Sequence, residues 1–204
     1  MIALDDFIQG FSNTFPSQVG IEPWEVVQSI SKILNQKILE LGSEYKIKDD
    51  IAIYRSAVIE PGAVIKSPVI ISEQCFVGAN AYLRGGVYLA FGVSIGPSCE
   101  VKSSIVFPYS SMGHFNFIGD SIIGNHVNFE AGSLTANHYN ERKDKSIWVT
   151  FNSGSRDTGV EKFGALVGDG SKIGANSVLS PGTLLKPKTI VERLRLVEQN
   201  KRGN

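Results

Sequence analysis

The chain has little cysteine, no excess of either charge and no long apolar run. Its 204 residues include 20 basic and 20 acidic side chains, so the formal net charge is zero. A balanced chain has no bulk attraction for nucleic acid or an anionic membrane, and we expect neither as a partner. No segment has the apolar length that a bilayer crossing needs, and the first residues, MIALDDFIQG, lack the regions of a signal peptide. These absences predict a cytoplasmic protein.

The two cysteines, Cys75 and Cys99, are too few for a disulfide framework. Both fall on positions of a repeat, described next, that face a core, where cysteine acts as a small apolar filler. We therefore expect no thiol nucleophile. The sequence also lacks a glycine-rich nucleotide loop, and a sugar-nucleotide transferase domain needs far more chain than remains outside the repeat.

An apolar residue recurs at every sixth position from residue 53, and a small or β-branched residue follows four positions after each. The first series is Ile53, Ile59, Ile65, Ile71, Val77, Leu83, Leu89, Ile95, Val101 and Phe107. The second is Ala57, Ala63, Val69, Cys75, Ala81, Val87, Val93, Cys99, Ile105 and Ser111. A period of six predicts an all-β fold, the parallel β-helix, in which three hexapeptides, each with one strand, make one coil.

The repeat divides the chain into three parts. In residues 1–50 a helix is predicted to begin near Pro23 and to end near Gly42, with apolar residues at helical spacing: Val27, Ile30, Leu34, Ile38 and Leu41. This stripe is expected to pack on the β-helix or on a neighbouring subunit. Residues 51–191 form the β-helix, with a break after Phe107 and a polar loop at 137–163. Residues 192–204 are predicted to be a charged tail that forms a short helix.

Lys66, Arg84 and Lys102 recur at intervals of three hexapeptides, so successive coils place them in one column. Each follows an inward aliphatic residue, so each is expected to point outward, about 5 Å from the next. Stacked cations repel one another unless an anion lies among them. The column is therefore either a solvated charged face or a phosphate site. In a phosphate site, the arginine would offer paired N–H donors and each lysine a compact positive charge.

The three histidines, His114, His126 and His138, recur at intervals of two hexapeptides, which is two sides of the triangular coil. Within one subunit they are not expected to meet at a metal ion, and we predict no metal site. His114 lies where the repeat breaks, and interruptions of regular structure often carry sites. Imidazole is also the side chain best suited to accept a proton near neutral pH.

Two adjacent runs resemble a known family. His114 to Asp120 reads HFNFIGD, and Ile123 to Asn137 reads IGNHVNFEAGSLTAN. Both resemble the acetyltransferase domain of the bacterial bifunctional glucosamine-1-phosphate acetyltransferase/uridyltransferases. The later stretch RDTGVEKFGALVGDGSKIGANSVLSPG is similar to the archaeal two-domain sugar-1-phosphate enzymes. The resemblance covers about residues 50–190.

The resemblance implies a left-handed coil, a homotrimer with sites in the grooves between coils, acetyl-CoA as co-substrate and a sugar phosphate as the small-molecule partner. It also assigns roles to residues. Arg84 and Lys102 match the arginine and lysine that bind the phosphate, and His114 matches the catalytic histidine. Asn137 matches a catalytic asparagine in a Thr-x-Asn context, and Lys143 matches a lysine that reaches towards the phosphate.

Four further positions follow from the resemblance. Asn128 matches an asparagine that touches the sugar, and Ala131 matches an alanine near the acetyl group. Phe117 occupies a substrate-binding position where the family has tyrosine, so one hydroxyl contact to the phosphate is lost. His138 occupies a cofactor-binding position where the bacterial enzymes often have tyrosine. The uridyltransferase domain is missing, which leaves open a separate nucleotidyltransferase as partner.

The expected reaction is acetyl transfer to the amine of a hexosamine 1-phosphate. His114 would accept the amine proton, and Asn137 or backbone N–H groups would stabilise the oxyanion. Three alternatives stay open: an acyltransferase for another sugar or nucleotide sugar, a non-catalytic sugar-phosphate-binding trimer, and a metal-dependent hydratase with ligands from several subunits, as in the γ-class carbonic anhydrases.

Overall fold

The body of the molecule is a three-sided prism of parallel strands, seen in a computed structural model that describes residues 1–152 and 154–199. The helices are α1 (Phe11–Thr14), α2 (Pro23–Gln28) and α3 (Ile30–Ile38), with 3₁₀ turns at Leu4–Asp6 and Pro16–Gln18. The strands are β1 (Tyr45–Lys48), β2 (Ile51–Tyr54), β3 (Val58–Ile59), β4 (Val64–Ile65), β5 (Val69–Ile71), β6 (Phe76–Val77), β7 (Tyr82–Leu89), β8 (Ser94–Ile95), β9 (Glu100–Val106), β10 (Ser111–Met112), β11 (Phe117–Gly119), β12 (Ile122–Ile123), β13 (Asn128–Phe129), β14 (Leu134–Thr135), β15 (Trp148–Phe151), β16 (Gly154–Asp157), β17 (Ala165–Val167), β18 (Lys172–Ile173), β19 (Val178–Leu179), β20 (Thr183–Leu185), β21 (Ile190–Val191) and β22 (Leu196–Val197).

The prism has three faces, and successive coils add one strand to each. Face 1 consists of β3, β6, β8, β10, β13, β18 and β21. Face 2 consists of β4, the first halves of β7 and β9, β11, β14, β19 and β22. Face 3 consists of β2, β5, the second halves of β7 and β9, β12, β17 and β20. The predicted left-handed β-helix is confirmed, with about eight turns.

The predicted apolar series fills the interior of the prism. Val77, Leu83 and Ile95 are fully buried in one continuous cluster. Cys75 and Cys99 lie in the same cluster as free, buried thiols, which confirms their role as core fillers. Burial raises the pKa of the Cys75 thiol to about 11, so this thiol stays protonated at neutral pH.

The repeat does not break after residue 107, and that prediction was wrong. At the corner between faces 2 and 3, Gly85 and Gly86 together lie opposite Ser103 alone, because the register between β7 and β9 shifts there. Both glycines have positive φ, which suits a bulge in which two residues of one strand lie opposite one residue of the next. Leu89 is consequently in register with Val106, so this coil is shorter by a single residue than three full hexapeptides.

The missing residue moves the apolar series by one position. Val106 and not Phe107 fills the interior, where Met112 and Ile118 continue the series. The small positions are taken by Ser104 and Ser110, which are fully buried, and not by Ile105 and Ser111. Phe107 lies instead outside the prism, against Phe11 and Phe15. The shift is not visible in the sequence, because Val106 and Phe107 are both apolar and either could fill the interior position.

The N-terminal segment covers the outer side of face 3. As predicted, a helix begins at Pro23, although Ser29 separates α2 from α3. The predicted helical stripe is buried except for Leu41, which is partly buried. It packs with the outward apolar side chains of face 3: Ile70, Ile105, Ile122, Leu166 and Leu184. The segment ends in β1, which pairs antiparallel with β2.

The polar stretch 137–163 leaves the prism at the corner between faces 2 and 3 and contains a hairpin, in which β15 and β16 pair antiparallel. After it, Leu166 pairs with both Ile122 and Leu184, so the prism continues without a gap. Among the described residues, none of the helices has the length and apolar character needed to span a bilayer.

The prediction of a C-terminal helix was wrong for the described part of residues 192–204. β21 and β22 extend faces 1 and 2, in register with β18 and β19. Val191 is buried in the interior, and Val197 packs against it. These two valines keep the six-residue spacing, which the charged residues between them obscure in the sequence. Residues 200–204 lie outside the described residues.

Candidate active site

The predicted cation column lies at the corner between faces 2 and 3. Arg84 and Lys102 are in register on adjacent parallel strands, as their spacing of three hexapeptides predicts. Lys66 lies next to Arg84 on the other side, since its N–H donates to the carbonyl oxygen of Leu83. Three cations from three coils are therefore neighbours on the surface.

Two carboxylates lie among these cations. Arg84 Nε and Nη2 donate to Oε1 of Glu100 at 2.7 and 2.6 Å. Lys102 Nζ donates to Oδ2 of Asp120 at 2.6 Å, in a more buried pair whose side chains are 16% and 11% exposed. Within the described residues, Arg84 Nη1 and two of the three Lys102 N–H donors make no hydrogen bond. The repulsion within the column is thus relieved while donors remain for an anion.

Asp120 also holds a second predicted site residue. Its Oδ2 accepts a hydrogen bond from Asn137 Nδ2 as well as from Lys102. The other end of the Asn137 amide, Oδ1, lies 3.1 Å from Nδ1 of His138. Sequence reasoning missed Asp120 as a site residue. The available signal was its separation of 18 residues from Lys102, although the shortened coil places Gly119 and not Asp120 in register with Lys102.

A second group lies at the corner between faces 1 and 2. His114 is exposed in the turn between β10 and β11. The Gly132 N–H donates to its carbonyl oxygen at 2.9 Å, which places Ala131 beside His114 on the next coil. In the part of the chain that the structure describes, the His114 ring has no hydrogen-bond or ionic partner. Asn128 lies nearby on face 1, exposed, and accepts a hydrogen bond from Ser111 Oγ at 2.7 Å.

One chain does not bring His114 and Asn137 together. They lie at opposite edges of face 2, and Phe117 lies on that face between them. The Phe117 ring folds over Gly119, where a Cβ atom would lie 2.6 Å from its Cζ and 3.0 Å from Asn137 Nδ2. Phe117 therefore borders the Asn137 end of the face.

Lys143 is exposed in the insertion at 137–163, and no contact joins it to either group within the described residues. The preceding residue, Arg142, ties the insertion to the last coil. Its guanidinium lies 3.4 Å from the Tyr139 ring centroid and pairs with Glu198 at 2.6 Å. Lys143 thus extends from a point that is anchored to the last coil, four coils from Lys102 along the prism.

His126 lies at the third corner, between faces 3 and 1, where its ring stacks on Tyr109 with a centroid distance of 4.9 Å. The three histidines accordingly lie at three different corners of one prism. No group of three or more His, Cys, Asp or Glu side chains among the described residues is arranged to hold a metal ion.

Comparisons with known proteins agree with the fold. The family model described as the GMPPB C-terminal domain matches residues 47–138, and one described as the hexapeptide repeat of succinyl-transferase matches residues 154–181. A bifunctional protein GlmU of Methanococcus maripaludis strain C5 is 37% identical over 166 residues, which are 78% of this chain and 39% of that protein. The strain S2 protein of the same name is 37% identical over 151 residues, 72% of this chain and 36% of its own length. The chain thus spans about two fifths of these relatives.

Solved structures are more distant. PerB from Caulobacter crescentus, in complex with CoA and GDP-perosamine, is 14% identical, with a TM-score of 0.34 over 69% of this chain and 50% of that one. A hexapeptide transferase family protein from Anaplasma phagocytophilum is 19% identical, with a TM-score of 0.35 over 71% of this chain and 70% of that one. These scores are too low to compare the sites residue by residue.

Proposed function

Because the chain belongs to the hexapeptide-repeat acetyltransferases and resembles the GlmU proteins, we propose that it transfers an acetyl group from acetyl-CoA to the amine of a hexosamine 1-phosphate. The observation that carries the proposal is the registered pair Arg84 and Lys102. Both cations retain hydrogen-bond donors beyond their carboxylate partners, and a phosphate on the acceptor supplies several oxygens to accept them. Lys143 would extend from the insertion to the same phosphate.

His114 acts as the general base in this proposal. Its exposed ring, with no partner in the described residues, is available to take a proton from the amine. The amine nitrogen then attacks the thioester carbon, the carbon–sulfur bond breaks, and the coenzyme leaves as a thiol after taking up a proton. Arg84 and Lys102, at the other edge of face 2, would hold the acceptor phosphate and so orient the amine for the reaction.

We propose that the co-substrate binds around His114. Ala131, on the next coil, has the smallest side chain that still has a Cβ atom, and it leaves room for a thioester beside the imidazole. Asn137 retains one N–H beyond the bond to Asp120, and the Asn137 of a neighbouring subunit would use it to stabilise the developing oxyanion, since one chain keeps His114 and Asn137 apart. Asn128 would border the sugar, whereas His138, which the resemblance assigns to the coenzyme, lies beside Asn137 at the phosphate edge of face 2.

The assembly is also a proposal. We infer a homotrimer, in which the His114 corner of one subunit faces the cation column of its neighbour, because one chain keeps the two groups at opposite edges of face 2. The cytoplasm would supply acetyl-CoA, and a separate nucleotidyltransferase is the natural partner for a sugar 1-phosphate product.

A second candidate function is a non-catalytic trimer that binds sugar phosphates. It is favoured by Phe117, which offers no hydroxyl to a ligand, and by the carboxylates that already neutralise Arg84 and Lys102. An enzyme that acts on a nucleotide sugar is the third candidate, and it would not need a terminal phosphate on the acceptor.

One assay separates the three functions. Release of free thiol from acetyl-CoA is measured with glucosamine 1-phosphate, galactosamine 1-phosphate and both unphosphorylated sugars. The proposal predicts release that depends on the 1-phosphate, and the better hexosamine identifies the acceptor. No release from the folded protein, together with calorimetric binding of the sugar phosphate but not of coenzyme A, would establish the binding protein instead.

A further inference from the structure

Asp120 is the only described residue that joins Lys102 to Asn137, and it is fixed from both its backbone and its side chain. Its N–H donates to the Lys102 carbonyl oxygen at 2.8 Å, and its carbonyl oxygen accepts from Gly164 N–H at 2.9 Å. The residue is 8% exposed and has a φ of 46°, which is uncommon for a residue with a side chain. Asp120 thus connects the cation column to the exit of the 137–163 insertion.

The carboxylate decides which way the Asn137 amide points. A carboxylate oxygen that already accepts from Lys102 can face only the NH₂ end of the amide, because the carbonyl end would bring two acceptors together. The Asn137 carbonyl oxygen must then point away from Asp120, and it lies 3.1 Å from Nδ1 of His138.

The amide in turn decides which nitrogen of His138 carries the proton. A carbonyl oxygen accepts and cannot donate, so Nδ1 must be the N–H, and Nε2 of the neutral ring is left as an acceptor. Without Asp120, the Asn137 amide is free to turn, and this constraint on the ring disappears.

We propose that Asp120 is a positioning residue that orients the Asn137 amide and thereby holds His138 as the Nδ1–H tautomer, with Nε2 presented to a hydroxyl or amino group of the acceptor sugar. His138 would then help to determine acceptor specificity at the edge of the site next to Lys102. The first part of the proposal concerns the free protein, and only the role toward the sugar rests on the proposed function.

The chain contains a matched control at another corner. Asp169 Oδ1 accepts from Asn125 Nδ2 at 3.0 Å, and Asn125 directly precedes His126, as Asn137 precedes His138. His126, however, stacks on Tyr109. Asp169→Ala therefore removes a carboxylate next to an asparagine and a histidine, together with the bonds it accepts from the Asn125 and Gln9 N–H groups, without touching the Asp120 chain.

The test is nitrogen NMR of the protein labelled with ¹⁵N-histidine, at an alkaline pH where all three rings are neutral. We expect His138 to show the Nδ1–H tautomer in the unchanged protein and in Asp169→Ala, and a mixture of tautomers in Asp120→Ala and Asn137→Ala. Asn137→Ala leaves the Lys102–Asp120 pair in place, so it keeps the test valid if Asp120→Ala does not fold. A tautomer mixture in the unchanged protein, or an unaltered Nδ1–H form in either variant that folds, would overturn the proposal.

A kinetic measurement tests the role toward the sugar. His138→Phe should raise KM for the acceptor by about tenfold, with a smaller change in kcat, as expected for loss of one or two ligand hydrogen bonds. Asp120→Ala should raise KM in the same way and should also lower kcat, because it frees the Asn137 amide that is proposed to stabilise the oxyanion. Asp169→Ala should leave both constants unchanged. If the unchanged protein shows no transfer, the proposed function fails while the tautomer result stands; if it is active and KM does not change in His138→Phe, the role of His138 is wrong.

Discussion

Ala131 lies beside His114 on the adjacent coil, because the next residue, Gly132, donates its N–H to the His114 carbonyl oxygen at 2.9 Å. The two residues are separated by one shortened coil, the same interval that pairs Ser111 with Asn128, and this brings them side by side. The proposed base and the proposed place of the thioester are therefore neighbours at one corner, while the proposed phosphate cations lie at the next.

Replacing His114 with alanine should separate chemistry from acceptor binding. Loss of a general base typically costs about 10²–10⁴-fold in rate, and we expect kcat to fall by that factor. Binding of the sugar phosphate, measured by calorimetry, should persist because Arg84 and Lys102 lie at the opposite edge of face 2. His126→Ala, which removes a histidine from another corner, serves as the control and should keep normal turnover. Near-normal turnover in His114→Ala would remove His114 from the mechanism.

The two thiols should be inert in the folded protein. Burial raises the pKa of Cys75 to about 11 and also raises that of Cys99, and both thiols are 1% exposed. A thiol-specific reagent at pH 8 should label neither one until guanidinium unfolds the chain, and then label both. Rapid labelling of the native protein would show that the interior is open at these coils.

The close stacking of coils makes Gly96 intolerant of a side chain. A Cβ atom at Gly96 would collide with the carbonyl oxygen of Gly113 on the next coil, whereas one at Gly42 would meet nothing within 4 Å. We expect Gly96→Ala to lower the free energy of unfolding by about 3 kcal/mol, at the upper end of the usual cost of overpacking. Gly42→Ala should change it little. Equal denaturation midpoints for the two variants would show that the coils separate at low cost.

Glu130 gives the stability a dependence on acid. The hydrogen bond from Arg193 lowers the pKa of Glu130 below its ordinary value of 4.5, with a further contribution from the Ala175 N–H. A carboxylate whose pKa is depressed by folding stabilises the protein above the unfolded value, and that contribution is lost as the pH falls through the folded value. Glu130→Gln should therefore melt below the unchanged protein at pH 7 and at the same temperature at about pH 2. If Glu130→Gln still melted below the unchanged protein at about pH 2, the loss of stability would come from packing and not from the charge of Glu130.

The sequence predicted the prism well because its period is short and repeats many times. The interior positions up to Val101 and the registered pair Arg84 and Lys102 follow directly from a coil of three hexapeptides. The same rule failed where one residue is missing opposite Gly85 and Gly86, since a shift of one position leaves another apolar residue, Phe107, in the expected place.

The candidate site could be predicted only in part. Spacing places residues at corners, and this is how the cation column and the three histidine corners were found. The carboxylate partners depend on side-chain directions that spacing does not give, so Asp120 was missed; it directly follows Gly119, the residue that is in register with Lys102. The C-terminal coil was taken for a helix because charged residues surround Val191 and Val197, and only stacking on β18 and β19 reveals the strands.

The most direct test of the account is the preference for a phosphorylated acceptor, measured as the ratio of kcat/KM for a hexosamine 1-phosphate to that for the unphosphorylated hexosamine. This ratio is compared between the unchanged protein, Lys102→Ala and Lys66→Ala, where Lys66 is the cation of the column that lies beyond Arg84. The account predicts a strong preference for the phosphate that falls about tenfold or more in Lys102→Ala, mainly through KM, as for the loss of one charged hydrogen bond. A preference that Lys102→Ala leaves unchanged would contradict the phosphate site.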